Sequence, residues 1–180
     1  MNKKVLVLSG RPRVGGNSDL LCDEFIKGAI ESGNEVEKIN IGSKNIGYCR
    51  SSYYCGSHQG ECVIKDDMAE VLEKMIAADV IVLASPVYFY SIAAQLKALI
   101  DRTLARWLEI HNKDFYYIVT AGVDYAQQKD ATPACFHGFA ECLEDINEKG
   151  LIYAAGVYDK GDVIGRPEMQ KAYERGKSIC

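Results

Sequence analysis

The sequence predicts an α/β fold in which a mainly parallel β-sheet is covered by helices on both faces. Short apolar segments recur along the 180 residues, and amphipathic segments with helical spacing separate them. Unbroken apolar runs are typical of parallel strands that are buried on both faces. Strands that alternate with helices form right-handed crossovers over one sheet, so we expect one domain over residues 1–180.

Five segments are predicted to be strands, each ended by turn residues or by the start of a helix. The most apolar is 79–84, and charged residues alternate with aliphatic ones over 35–41, which favours a position nearer the sheet edge. The predicted strands cover residues 4–8, 35–41, 79–84, 115–120 and 151–157.

Helices are predicted between these strands from apolar residues at helical spacing. They cover residues 17–31, 66–78, 91–107, 133–149 and 167–177, and Asn17 is interpreted as the N-cap of the first. Residues 42–65 have no sustained period and are rich in Gly, Ser, Tyr and Cys. We therefore expect an excursion here, and loops of this length are usually functional.

Composition excludes several classes of protein. The net charge is −4 and no run of Lys or Arg exceeds two residues, so nucleic acid is not an expected partner. The apolar run after the first lysines is too short for a signal peptide or a membrane span, and we expect a cytoplasmic protein without a membrane partner. Seven cysteines, an odd number, do not indicate a disulfide framework.

Three loops follow strands and should meet at one edge of the sheet: 9–18, 85–91 and 120–124. The first joins Ser9, Gly10 and Arg11 to a helix N-terminus, where free N–H groups and the helix dipole favour a phosphate. Gly-rich turns also follow strands without binding anything. The pattern matches neither GxGxxG nor the Walker motif, so a dinucleotide or a triphosphate is not required.

The second loop places three aromatic residues beside Pro86, namely Tyr88, Phe89 and Tyr90. Aromatic side chains at a strand end can flank a planar ring. The alternative is that they cap the core or line a subunit contact.

These two loops resemble those of a known family. SGRPRVGGNSDLL, SPVYFYSIAAQLKALIDR and the spacing between them are similar to the NAD(P)H-dependent FMN reductase and iron–sulfur flavoprotein branch of the flavodoxin-like superfamily, over about residues 3–125. The resemblance implies a flavodoxin-like three-layer sandwich with a five-stranded parallel sheet in the order 2-1-3-4-5. It also implies bound FMN.

The resemblance further implies which residues hold the flavin. Around the phosphate they are Ser9, Arg11, Gly16, Asn17 and Ser18; beside the isoalloxazine they are Pro86, Val87, Tyr88 and Phe89; on the other side they are Thr120, Ala121 and Gly122. No catalytic side chain is expected, because hydride and electron transfer are the cofactor's own chemistry.

The activity implied is that of an FMN-dependent oxidoreductase that takes hydride from NADH or NADPH. Its acceptor would be a quinone, a flavin, a nitro or azo compound, or a protein, and a homodimer or homotetramer is implied. The alternative is a non-catalytic FMN electron carrier, which needs an acidic docking face that a charge of −4 does not favour. A response-regulator domain is disfavoured, because strand one would then end in acidic residues.

The excursion contains Cys49, Cys55 and Cys62, with Ser52 where the iron–sulfur branch has a further cysteine. A [4Fe–4S] cluster is therefore not expected, since one thiolate is missing. Zinc held by these cysteines and His58 is a second alternative, although the spacing is loose. We expect a cluster-free loop with free thiols, whose tyrosines 48, 53 and 54 contribute to a substrate pocket.

Four other residues are assigned structural roles. Asp66 lies at a helix N-terminus, where negative charge is stabilising. His137 is isolated from any ligand set in the sequence and is interpreted as an ordinary surface or packing residue. Cys135 and Cys142 are seven residues apart on a predicted helix, so we expect both to face the core.

Overall fold

The computed structural model describes residues 2–10, 12–124 and 126–180, and the side chains of all of these except residues 126–130. Its centre is a five-stranded sheet in which every pair is parallel. The strand order β2-β1-β3-β4-β5 confirms the predicted one. The strands are β1 Lys4–Ser9, β2 Glu35–Asn40, β3 Val80–Pro86, β4 Lys113–Thr120 and β5 Ile146–Ala154.

Helices cover both faces of this sheet. They are α1 Asn17–Glu31, α2 Tyr54–Ser57, α3 Met68–Ala77, α4 Ala94–Arg102, α5 Ala126–Glu141 and α6 Pro167–Lys177. Three short 3-10 turns cover Ile41–Ser43, Thr103–Ala105 and Trp107–Glu109. None of the described helices is both long enough and apolar enough to cross a bilayer.

The period of two along each strand divides the core into two layers. Val5 and Val7 of β1 face α1 and α6, where they pack with Phe25 and other buried residues. Leu6 and Leu8 face the opposite layer, which contains the apolar sides of α3, α4 and α5. The sheet is thus buried on both faces, as its apolar strands predict.

Helices α1 and α6 cross at two glycines. A Cβ atom on Gly28 would overlap the carbonyl oxygen of Tyr173, and one on Gly176 would overlap that of Phe25. The two backbones therefore touch, and only glycine fits at either position.

The predicted helix 133–149 is wrong at both ends. The structure has α5 over Ala126–Glu141 with Pro133 inside it, and residues 146–149 belong to β5. Ile146 pairs with Lys113 of β4, so strand pairing overrides the local helical pattern. The predicted helix 91–107 is shorter as well, because α4 starts at Ala94 and gives way to 3-10 turns after Arg102.

The residue that caps α1 also differs from the prediction. Gly16 has the extended backbone of an N-cap, and Asn17 is the first helical residue. The Asn17 side chain makes no capping bond because it is engaged elsewhere, as described below.

Candidate functional site

A cleft of about 320 Å³ lies at the carboxyl ends of β1, β3 and β4. This volume is at the lower end of the roughly 300–1,000 Å³ that is usual for small-molecule sites. The cleft brings together the three loops that the sequence singled out and adds a fourth segment after β5. Its lining comprises Pro12, Arg13, Gly16, Asn17, Ser18, Pro86, Val87, Tyr88, Thr120, Gly122, Val157 and Tyr158.

The first residues of α1 form part of the cleft lining. The first N–H groups of this helix have no acceptor within it, so they are available to a ligand beside Gly16 and Ser18. The loop that leads into it is tightly folded, since Gly15 N donates to Asp19 Oδ2 at 2.8 Å and Gly16 N donates to the Arg13 carbonyl at 3.3 Å. Arg11 lies outside the described residues.

The segment after β3, which also contributes to the lining, forms a two-residue hairpin. Tyr88 and Ser91 exchange two backbone hydrogen bonds of 2.9 Å, and Phe89 and Tyr90 between them have φ of 48° and 63°. Two consecutive positive φ values are those of a type I′ turn. The hairpin projects from the molecule, and Phe89 at its tip is 99% exposed.

Backbone hydrogen bonds join the loops that form the rim. Val87 N donates to the Thr120 carbonyl at 2.8 Å, and Val157 N donates to the Ala121 carbonyl at 2.9 Å. Ser85 is buried and holds the base of the hairpin, because its hydroxyl accepts from Ala93 N at 2.8 Å. The walls of the cleft are thus held together without any bound group.

Three of the sequence-predicted site residues lie outside the lining. Ser9 is fully buried on the strand face that packs against α1, and Ala121 is 1% exposed and acts through its backbone. Phe89 is at the hairpin tip, beyond the wall that Tyr88 forms. The eight others that the structure describes line the cleft: Gly16, Asn17, Ser18, Pro86, Val87, Tyr88, Thr120 and Gly122.

Sequence reasoning missed the segment after β5, residues 157–163, which we call the 157–163 loop. Val157 and Tyr158 line the cleft. A Cβ atom on Gly122 would lie 2.7 Å from Cδ2 of Tyr158, so the tyrosine ring rests on the glycine backbone. No sequence motif marks this segment. The only indication in the sequence is Gly122 after β4, since a glycine allows another segment to pack closely on its backbone.

The Asn17 side chain holds this loop. Its amide nitrogen donates to the carbonyls of Val157 at 3.1 Å and Asp159 at 2.8 Å, and its oxygen accepts from Gly161 N at 3.1 Å and Val163 N at 3.3 Å. A side-chain amide has two donors and two acceptor sites, and all are used here. Asn17 thus lines the cleft while its side chain is committed to the loop.

The excursion is attached to the protein by a buried ion pair. Both Arg102 and Asp66 have side chains that are almost fully buried, and Arg102 Nη1 lies 2.7 Å from Asp66 Oδ2. Arg102 also donates to the Gly47 and Ile64 carbonyls at 2.8 and 3.3 Å. Asp66 therefore does more than stabilise a helix N-terminus, which was its predicted role.

Burial by itself would raise the pKa of Asp66. The Arg102 guanidinium and the N–H groups of Gly47 and Met68 outweigh it and hold this pKa below its usual value. The carboxylate form is therefore the one that fastens the excursion.

The cysteines of the excursion are free thiols and partly buried. Within the described ranges, no group of three or more His, Cys, Asp or Glu side chains could hold a metal ion. Tyr54 stacks on His58 with 3.5 Å between ring centres, and Tyr48 and Tyr53 are exposed. The expected contribution of these tyrosines to a pocket is not seen at the cleft, whose lining contains none of them.

A larger cavity of about 730 Å³ lies between the excursion, α3 and the turns after α4. The charged side chains in its lining are paired with one another: Lys65 with Glu61, Arg102 with Asp66, and Arg106 with Glu73 and Glu109. It thus offers a ligand no uncommitted charge, and the smaller cleft is the better candidate site.

One assignment at the end of α5 is corrected, and one contact there was not predicted. His137 is a half-exposed residue, as interpreted, and its Nδ1 is hydrogen-bonded to Glu148 of β5. Cys142 is exposed, because α5 ends at Glu141 and the predicted common face with Cys135 does not continue.

Comparison with known proteins shows which family this chain resembles. The model of the family described as NADPH-dependent FMN reductase matches residues 3–137. An iron-sulfur flavoprotein of Archaeoglobus fulgidus is 43% identical over 101 residues, which are 56% of this chain and 46% of that protein. The chain spans about half the length of the curated relatives it matches.

Two solved structures share the fold. The NAD(P)H:quinone oxidoreductase from Methanothermobacter marburgensis has a TM-score of 0.73 at 16% identity, over 98% of this chain and 96% of its own. An FMN-dependent NADH-azoreductase from Bacillus anthracis, in complex with FMN, has a TM-score of 0.69 at 19% identity, with the same coverage of 98% and 96%. At such identities the likeness concerns the fold alone.

Proposed function

The chain belongs to the NADPH-dependent FMN reductase family, and from this premise we propose that it is an FMN-dependent oxidoreductase. It takes hydride from NADH or NADPH and passes electrons to a small-molecule or protein acceptor. The observation that carries the proposal is one cleft whose lining contains both the N-terminus of α1 and the aromatic ring of Tyr88. That arrangement suits a ligand with a phosphate at one end and a flat ring at the other.

The residues present fit FMN. Gly16 and Gly122 line the cleft and present backbone rather than side chain to it, so a ligand can approach the main chain at both positions. The donors at the start of α1 are the first N–H groups of the helix and the Ser18 hydroxyl, and Arg11 belongs to the same loop. These are the kinds of donors that bind a phosphate.

Pro86, Val87 and Tyr88 would hold the flavin ring on one side, and Thr120 and Gly122 would hold it on the other; all five line the cleft. Hydride and electron transfer are chemistry that the flavin supplies when bound. The part of this chain is to orient the flavin and to shield one ring face from water, which requires the rigid rim described above.

The donor and the acceptor use the same open ring face in turn. The cleft is small, at about 320 Å³, so we expect it to admit one reactant at a time beside the flavin. Each reactant therefore leaves before the next enters, which is a ping-pong scheme. Parallel initial-rate plots are expected, and intersecting ones would contradict it.

A homodimer or homotetramer completes the site from a second copy. The exposed Phe89, together with Leu104 and Leu108 at 47% and 67% exposure, supports a contact between copies. Light scattering at several concentrations tests this, and a monomer throughout would contradict it.

The test of the function is the visible spectrum of the purified protein, before and after anaerobic addition of NADH or NADPH. We expect flavin absorbance that one of the nucleotides bleaches. A protein that neither contains nor takes up FMN would refute the proposal. Flavin absorbance that neither nucleotide bleaches would favour the electron carrier instead.

A variant makes this test specific to the cleft. Ser18→Asp adds a negative charge where the phosphate is proposed to bind, at a first helical turn whose dipole favours such a charge. Because Ser18 is only 3% exposed, the variant is first shown by circular dichroism to fold like the wild type. We expect it to lose FMN. Ser52→Asp, an exposed position in the excursion, adds the same charge away from the cleft and should retain FMN.

A further inference from the structure

We propose that the 157–163 loop is a second phosphate-binding arm of the cleft, with Lys160 as its cation and Asn17 as the residue that positions it. This inference rests on the proposed function, since the phosphate is that of FMN. Its loop and its cation, Lys160, lie outside the segment that matches the family, which ends at residue 137.

Lys160 lies directly on the phosphate loop. A Cβ atom on Gly15 would be 3.0 Å from Cε of Lys160 and 3.1 Å from its Nζ, so the end of the lysine side chain packs on the glycine backbone. Gly15 has φ of +67°, which also favours glycine here. Lys160 is just outside the lining of the cleft, but its neighbours Tyr158 and Gly16 are part of it.

Three polar groups of the phosphate loop are already engaged within the protein, which leaves a ligand the N–H groups that begin α1 and the Ser18 hydroxyl. The N–H of Gly15 is bonded to Asp19 and that of Gly16 to the Arg13 carbonyl. The Asn17 amide, which the family resemblance assigns to the phosphate, is fully engaged with the 157–163 loop. A cation brought in from outside the loop compensates for these missing donors.

The 157–163 loop is built to hold such a cation in place. Asn17 bonds to four backbone groups on both sides of Lys160, and the Asp162 carboxylate accepts from Tyr158 N at 2.9 Å and Asp159 N at 2.7 Å. The backbone around Lys160 is therefore ordered before any ligand binds, and little entropy is lost on binding. A lysine stem is long and flexible enough to bring its ammonium from Gly15 onto an adjacent phosphate.

The experiment compares FMN with riboflavin, which has the same ring without the phosphate. Titrations followed by flavin fluorescence give both dissociation constants for the wild type and for Lys160→Gln. We expect the substitution to weaken FMN binding about tenfold, the effect of losing one hydrogen bond to a charged group. Riboflavin binding should not change. Lys171→Gln, an exposed position on α6, removes the same charge elsewhere and should change neither constant.

The outcomes separate the two proposals. A wild-type protein that binds no FMN overturns the proposed function and this inference with it. A wild type that binds FMN, with the same FMN affinity in Lys160→Gln, overturns the inference alone. Equal losses of FMN and riboflavin affinity also overturn it, because they show a structural effect rather than a phosphate contact.

The positioning role of Asn17 is tested by comparing Asn17→Ala in the wild type and in the Lys160→Gln variant. Asn17→Ala should reduce the preference for FMN over riboflavin in the wild type, because it releases the loop that carries the lysine. In the Lys160→Gln background the same change should reduce this preference no further. A reduction of the preference by the same factor in both backgrounds would show that Asn17 contacts the phosphate itself. That result would overturn the role of Asn17 as a positioning residue.

Discussion

The buried pair of Asp66 and Arg102 shows how a single contact can hold a long irregular segment. The excursion has only one short helix and a 3-10 turn of its own, so few backbone bonds fix it. The Arg102 side chain supplies hydrogen bonds in their place. It joins α4 to the carbonyl groups of Gly47 and Ile64 and to the carboxylate of Asp66. Removing one partner would leave the other charge buried and unpaired.

Asp66→Asn should therefore destabilise the protein at neutral pH, by about 3 kcal/mol on the scale measured for broken buried pairs. The folded pKa of Asp66 is below its ordinary value, so the stabilisation by its carboxylate is present above the unfolded pKa of about 4. It is lost as the pH falls through the folded pKa. In urea unfolding from pH 7 down to pH 3, the free energies of unfolding of Asp66→Asn and of the wild type should converge.

The control for this change is Glu70→Gln. Glu70 is an exposed residue of α3 that pairs with Lys44 and Lys74. Exposed ion pairs contribute little to the free energy of unfolding, so this variant should unfold like the wild type over the whole pH range. A constant difference between Asp66→Asn and the wild type down to pH 3 would contradict the role assigned to the carboxylate.

Phe89 is a residue under backbone strain. Within one copy it is 99% exposed and has φ of 48°, so replacing it sacrifices almost no buried surface at protein concentrations where light scattering shows a monomer. Asparagine tolerates this conformation, and Phe89→Asn should raise the free energy of unfolding by about 0.5–1 kcal/mol. Phe89→Val, with a β-branched side chain, should lower it. Both are measured by chemical denaturation without flavin, and the reverse order would contradict the turn geometry.

The role of Asn17 could be predicted from the sequence only in part. Its place at the start of α1, beside the phosphate loop, follows from local pattern. Its partners do not, because they are about 140 residues away in a segment without a motif. The same holds for Tyr158, which reaches the cleft only because β5 ends beside β4.

At the scale of elements, local patterns identified most of the fold. The predictions of the buried strands and of α6 agree with the structure, because apolar runs and a Pro in the first helical turn are strong local signals. The boundary between α5 and β5 was misplaced because residues 146–149 carry a polar, helix-like pattern at an edge strand. An edge strand is defined by its partner, which a single sequence does not display.

The crossing of α1 and α6 depends on backbone contact at two glycines. Gly176→Ala should destabilise the protein by more than about 2 kcal/mol, because the added methyl group overlaps the Phe25 carbonyl and forces the helices apart. Gly138→Ala is the matched control, since a Cβ atom there in α5 meets nothing within 4 Å.

That control should be stabilising, by up to about 1 kcal/mol, because alanine is the better helix former. Thermal unfolding monitored by circular dichroism measures both variants. Equal effects of the two substitutions would contradict the close crossing.

At the scale of the whole molecule, the parallel sheet explains why the candidate site could be located without its details. Parallel strands end at one edge, so the loops after β1, β3 and β4 had to meet there. The loop after β5 joins the same edge for the same reason. Sequence patterns located the first three because glycines and aromatic residues mark them, and overlooked the fourth because nothing in its composition does.

Ligand binding at this edge should stabilise the whole fold, because the cleft exists only when β1, β3, β4 and the 157–163 loop are in place. With free FMN at 100 times its dissociation constant, the free energy of unfolding should rise by about 2.7 kcal/mol, and by about 1.4 kcal/mol for each further tenfold increase. Urea denaturation at several FMN concentrations measures this slope. Ser18→Asp, with its proposed phosphate contact blocked, should show no slope over the same range. A slope that persists in this variant would place the flavin elsewhere, and no slope in the wild type would mean that the folded protein does not bind FMN.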